Sequence, residues 1–227
     1  MIFLCGGKLD PAASKPPSVR EALLRQLPSR DAIGDARIIL AEKATQALPG
    51  SNFSNLLDLE EYLSAVVDGI ILIVESAGSI CELGAFVKTP EICSKLIIVV
   101  SSPHNGSPSF VKLGALNYFV EQRGNDDSLI SFHWDYDSDN VIIQDYVIID
   151  LAEYLKREVG KTNLSGKMKF VSNMEDRIFF TLGVCHILRG ARLPELKDCY
   201  RALGHGEFER EIIKYLSVRP EGSYLIA

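Results

Sequence analysis

No apolar run in this 227-residue chain approaches the roughly 20 residues that a membrane-spanning helix requires, so a helical membrane protein is not expected. The five cysteines, at positions 5, 81, 93, 185 and 199, leave one unpaired and offer no close ligand pair. Reduced thiols in a cytoplasmic protein fit them better than a disulfide framework or a zinc site. The four histidines (His104, His133, His186 and His205) show no metal-ligand spacing either, and no metal is expected. There is no G-x-G-x-x-G, so Gly6-Gly7 alone is no dinucleotide fingerprint. Internal repeats and low-complexity tracts are missing. The opening Met1-Ile2-Phe3-Leu4-Cys5 lacks basic flanks, so it does not read as a signal peptide.

What is present describes a globular α/β chain with a small appendage. The net charge of −6 is unevenly spread. Residues 1–150 carry 11 basic and 20 acidic side chains, whereas residues 151–227 carry 13 and 10. A mildly basic tail on an acidic body points to an acidic or nucleic-acid partner, or simply to a solvated helical face.

Along the chain, "IFLCGG" is a buried strand ended by two glycines. Ser18-Val19-Arg20-Glu21 has the form of a capping box opening a helix to about Leu27. "ARIILA" (36–41), "GIILIVE" (69–75) and "KLIIVVSS" (95–102) read as further strands, with "NYFVE" (117–121) as a fifth. Between them, Leu59, Tyr62, Leu63, Val66 and Val67 repeat at helical spacing, with Asp58 as a candidate N-cap. Apolar strands alternating with helices predict a doubly wound, mostly parallel sheet, whose ligands bind at the carboxyl ends of its strands. Residues 125–170 are poorly patterned apart from a helix around 145–158, and "VGKTNLSGK" (159–167) reads as a linker. Beyond it, three short helices and "PEGSYLIA" resemble a winged helix, cut short. The expected division is 1–158 and 159–227.

The stretch "ESAGSICELGAF" (75–86) raises the functional question. Ser79-Ile80-Cys81-Glu82 is an S-x-x-E capping box, in which Glu82 would do no more than bond back to the Ser79 N–H. A helix start also favours an ionised carboxylate, the form that attacks an anomeric carbon. Gly78 and Gly84 would permit close approach of a ligand, while Ser76 and Ser79 would offer hydroxyls to a ribose or phosphate. Cys81 has no nearby histidine in sequence and reads as structural, as do the histidines. Arg20 and Glu60 read as surface ion-pair residues, and Asp68 as a turn or cap residue.

A strand, a Ser/Gly turn and then "ELGAF" resemble the nucleoside 2-deoxyribosyltransferase fold, where the Glu of an E-x-G pattern attacks the anomeric carbon. More closely, "IFLCGG", "LLDLEEYLSAVVDGIIL", "ESAGSICELGAF", "KLIIVV" and "SPSFVKLGAL" resemble, in order, the deoxyribosyltransferase-like toxins of retrons, which are bacterial anti-phage systems. The resemblance covers roughly half the chain. It implies that Glu82 is the catalytic glutamate, with Glu60 or Asp68 assisting, that Gly6 and Gly7 form the first loop of the nucleotide pocket, and that Arg20 lies near it. It implies cleavage of the N-glycosidic bond of NAD⁺, as substrate and not as cofactor. It also implies restraint by the retron reverse transcriptase and its multicopy single-stranded DNA, in an assembly that could be homo-oligomeric or larger.

The turn Ser76-Ala77-Gly78-Ser79 lacks the acidic residue that the metabolic transferases carry there, which weighs against nucleobase exchange as a housekeeping task. The family's toxins also carry residues ahead of "IFLCGG", so a trimmed or short member is expected. The alternatives are a nucleoside or nucleotide deoxyribosyltransferase or hydrolase, and a non-catalytic nucleotide-sensing module on the same fold.

Overall fold

The computed structural model describes residues 1–42, 55–124 apart from 59, 61–63, 65 and 66, then 128–161 and the single positions 181, 194 and 197. The chain divides into two compact units, one of residues 1–41 with 67–164, the other of 42–66 with 165–227. Segment 42–66 is thus grouped with residues 165–227. The winged-helix reading and most of the linker fall outside the described residues.

The first unit is built on a six-stranded sheet. Its strands are β1 (Ile2–Cys5), β2 (Ala32–Ile33), β3 (Ala36–Leu40), β4 (Gly69–Val74), β5 (Leu96–Ser101) and β6 (Leu129–Phe132). They lie in the order β2-β3-β1-β4-β5-β6. All neighbouring pairs are parallel except β2 with β3. The mostly parallel α/β architecture expected from the sequence is present. Counted over the parallel strands alone the order is 2-1-3-4-5, whose direction reverses between β1 and β4. That reversal opens a crevice at the carboxyl edge, flanked by the loop after β1 and the loop after β4.

The central strands bury both faces, as continuous apolar runs without alternation should. Ile2 and Leu4 of β1, Ile71 and Ile73 of β4, and Ile97 and Val99 of β5 share one core with α1 (Val19–Gln26) and the last described helix of this unit. That helix, Asp145–Lys161, places Val147, Ile148, Leu151, Leu155 and Val159 on one stripe. Each fully buried leucine there contributes about 1.5–3 kcal/mol. Alternate strand residues face the other way, where α2 (Ala77–Lys88) packs against β4 and a short helix, α3 (Pro90–Cys93), packs against α2.

Two expectations give way here. Asn117–Arg123 is a helix and no strand. It continues a π-helical segment, Val111–Leu116, and buries Leu116 and Phe119, which are one helical turn apart. The outer strand instead comes from Leu129–Phe132, within the stretch that had no clear pattern. Asp58 is also not an N-cap. Leu56–Asp58 is already helical, and the Asp58 N–H donates to Asn55 Oδ1 at 3.0 Å, the geometry of an Asn55 cap. After β6, a hairpin of β7 (Asp135–Asp137) and β8 (Asn140–Ile142) is tied to the loop after β1 by Val141 N–H to the Pro16 carbonyl, 3.0 Å. Among the described residues no helix is long and apolar enough to cross a membrane.

Candidate functional site

Strand β1 ends in Gly6-Gly7, and at Gly7 the absence of a side chain is obligatory. A Cβ there would lie 2.8 Å from Ser18 Cβ and 2.9 Å from Glu75 Cδ. The crowding carboxylate belongs to the residue that follows β4 directly. Glu75 Oε1 accepts from the N–H of Gly7 at 2.8 Å and of Arg20 at 3.1 Å. Its Oε2 accepts from Val19 N–H at 2.6 Å and from the Tyr136 hydroxyl at 3.0 Å. Val19 and Arg20 open α1, where backbone N–H groups have no partner inside the helix. Glu75 thus joins β4, the glycine loop, α1 and the hairpin. Burial pushes its carboxyl above the usual carboxylate range, against the pull of these donors. The Tyr136 phenol is also driven well above its ordinary value, first by burial and then by the charge of Glu75.

Arg20 is not at the surface. It is buried, its Nε donates to the Gly7 carbonyl at 2.8 Å, and Nη1 donates to the Leu4 carbonyl at 3.2 Å. A guanidinium that donates to the carbonyls of β1 and its loop braces that loop from behind, and it is buried where a surface residue was expected. The Ser18 cap is present, with Ser18 Oγ accepting from Glu21 N–H at 2.9 Å. Glu21 itself turns to Arg25 and Arg30, at 2.8 and 2.9 Å. Burial opposes its charge, yet the hydrogen bonds of Arg30 and Arg25 hold it below the usual range.

Helix α2 begins earlier than expected. Its N-cap is Ser76, whose Oγ accepts from Ser79 N–H at 3.1 Å, while Ser79 Oγ accepts from Ser76 N–H at 2.9 Å. The capping box is therefore Ser76 with Ser79, not Ser79 with Glu82. Ser79 Oγ also accepts from Glu75 N–H and donates to the Ser76 carbonyl, at 3.0 and 2.9 Å. Buried and fully engaged, Ser79 has no hydroxyl left to offer a substrate. Glu82 stands in the second turn, half-buried and beyond the cap. Among the described residues, a side chain at Gly84 would meet no atom within 4 Å and one at Gly78 only Ser76 Oγ at 3.8 Å, so both flanks of this turn are open.

Because β1 and β4 run parallel as neighbours, the Gly6-Gly7 loop and the start of α2 share the carboxyl edge at the reversal of strand order. Asp68 does not join them. It precedes β4, its N–H donates to the Met1 carbonyl at 2.9 Å, and its carboxylate meets the Met1 amino group. Six strand residues separate it from Glu75, about 20 Å at the rise of a parallel strand. Strand direction thus removes Asp68 from the proposed pocket. Glu60 belongs to the second unit. Two clefts, of about 620 and 490 Å³, lie along α1 and the Asp145–Lys161 helix, and neither is lined by Glu82.

Sequence reasoning missed Glu75, although an acidic residue closing an apolar strand run at the ligand-binding edge was a usable signal. It also missed Ser101, whose hydroxyl ends β5 and lies 2.6 Å from His104 Nδ1. Spacing alone could not reveal that pair. Among the described residues, no group of acidic, histidine and cysteine side chains could hold a metal ion.

The family model described as STM3845 retron effector protein matches residues 16–221. Over 229 aligned residues the chain is 24% identical to an Escherichia coli protein named "Retron Ec73 putative ribosyltransferase/DNA-binding protein", covering 96% of this chain and 71% of that one. A second Escherichia coli protein, "Retron Ec86 putative ribosyltransferase/DNA-binding protein", is 35% identical over 114 residues, half of this chain and 35% of its own length.

Proposed function

The chain belongs to the STM3845 retron effector family, and from that premise we propose that it is a glycosidic-bond-cleaving effector with Glu82 as its central carboxylate. The observation that carries this is the relief of Glu82 from capping. Ser76 and Ser79 close the start of α2 between them, so a half-buried carboxylate stands one turn in, beside the ligand-binding edge, without that structural task. The relatives' naming as ribosyltransferases supports the same class of chemistry.

The preferred substrate is NAD⁺ or a close relative. The bond between nicotinamide nitrogen and ribose C1′ breaks, its electron pair leaves with the now neutral nicotinamide, and the sugar becomes cationic. The Glu82 carboxylate stabilises that cation or bonds to C1′, and water completes the cleavage. A leaving group that departs neutral needs no strong general acid, so one dominant carboxylate suffices. Asp68, at the far edge, is left out of this scheme. A deoxyribosyltransferase or nucleoside hydrolase would use the same carboxylate on another base.

Partner binding is assigned to the basic C-terminal part, with the reverse transcriptase and its single-stranded DNA as the restraining complex; the relatives' naming as DNA-binding supports this. Incubating the purified chain with NAD⁺ and with deoxynucleosides, and following free base, tests the reading. Release of nicotinamide supports it, exchange or hydrolysis of deoxynucleosides favours the alternative, and no release from active-site-competent protein leaves a nucleotide-sensing module.

A further inference from the structure

We propose that Glu75 is a specificity-determining residue: its carboxylate occupies the anion seat at the start of α1 and bars a substrate phosphate from the turn after β1. This rests on the nucleotide reading above and concerns how such a ligand is oriented. In doubly wound sheets, a glycine turn after the first strand followed by a helix N-terminus is where a phosphate is ordinarily held, by backbone N–H groups and the helix dipole. Here those groups are present and already taken. The N–H groups of Gly7, Val19 and Arg20 converge on the two oxygens of Glu75 at 2.6–3.1 Å, and the Tyr136 hydroxyl closes the fourth side at 3.0 Å.

Space tells the same story as charge. Gly7 lies so close to Glu75 that a single Cβ would come within 2.9 Å of Cδ, so a phosphate cannot enter beside the carboxylate and must displace it. Displacement would break four hydrogen bonds to a carboxylate and set two anions side by side. A nucleotide bound at this edge therefore meets the β1 turn with an uncharged part, sugar or base, and its phosphates point away from α1.

The test uses the full ¹⁵N-labelled chain and the backbone amide signals of Gly7, Val19 and Arg20, titrated with inorganic phosphate, adenosine and AMP. In the wild type these three amides are expected to stay unmoved by phosphate and by the phosphate of AMP. Glu75→Ser, which empties the seat, should make them respond to inorganic phosphate with affinity raised about tenfold, the scale of a favourable helix-terminus charge. Wild-type amides that shift with phosphate, or a folded Glu75→Ser protein whose amides ignore it, would overturn the assignment. Should Glu75→Ser not fold, Glu75→Gln and the wild-type titration decide it. Base release from NAD⁺ is followed separately: silent amides without base release sink the activity alone, and base release with phosphate-shifted amides sinks this assignment alone.

Discussion

The Tyr136 hydroxyl donates to Glu75 Oε2 at 3.0 Å, joining the first strand of a surface hairpin to the end of a central strand 61 residues earlier. With Val141 N–H bound to the Pro16 carbonyl, this holds the β7–β8 hairpin against the loop that follows β1. The edge that receives the ligand in this fold thereby gains a fixed wall.

Tyr136→Phe should lower stability by about 1–2 kcal/mol in urea unfolding, the loss of one hydrogen bond to a charged group at a half-exposed site. The pH dependence follows from the raised phenol pKa. Above about pH 10 the unfolded chain loses this proton while the folded chain keeps it, so wild-type stability falls with rising pH through that window. Tyr136→Phe should lack that part of the fall. The single tryptophan, Trp134, is two residues away and gives a fluorescence readout of the same change. Parallel alkaline profiles for the two proteins would contradict the bond.

Glu82→Gln should leave the start of α2 capped, since Ser76 and Ser79 close it between them. Base release should nonetheless fall by at least about a hundredfold, because an amide cannot stabilise a cationic sugar. Ser79→Ala should show the opposite pattern in stability, a loss of about 1–2 kcal/mol as the cap of α2 opens. Unfolding curves and base-release rates on both variants check the contrast, and near wild-type turnover in Glu82→Gln would end the role assigned to it.

Asp68→Asn should leave base release within about twofold of wild type, since a full strand length separates it from the carboxyl edge. A hundredfold loss in the folded variant would return Asp68 to the mechanism.

Arg30→Gln should destabilise by about 1–3 kcal/mol at neutral pH, because the buried Glu21 carboxylate then keeps, among the described residues, Arg25 alone as an ion-pair partner. Glu21 is held below its unfolded pKa, so its contribution is present above the ordinary carboxylate range and is lost as pH falls through the depressed folded value. The difference between wild type and variant should therefore shrink in acid; a constant difference down to low pH would refute the linkage.

Reversing Arg189, Arg192 and Lys197 to Glu should weaken co-purification with the reverse transcriptase and its single-stranded DNA, and make what remains more salt-sensitive. Unchanged recovery across a salt series would send the search for the partner surface to the acidic unit.

Local pattern was enough for much of this molecule. Apolar runs bounded by glycine and serine marked β1, β3, β4 and β5. A helix was legible over about 145–158, three residues short of its end at Lys161 inside the expected linker, and Ser18 marked the start of α1. Each depends on neighbours within a few residues, which the chain carries in its own order. The carboxyl edge followed too, since strand direction places Gly6-Gly7 and the "ESAGS" turn at the same end. That argument, applied to Asp68, would already have put it at the other end.

Packing settled the rest. The S-x-x-E pattern favours Ser79 with Glu82, yet the helix starts three residues earlier, where β4 ends, and Ser76 and Ser79 close it. "NYFVE" can be strand or helix by pattern, and burial of Phe119 one turn after Leu116 made it helix. Glu75 looked like the last residue of a strand. Its four donors come from positions 7, 19, 20 and 136, and such convergence exists only once the parallel sheet has brought the ends of β1 and β4 together and folded the hairpin across them.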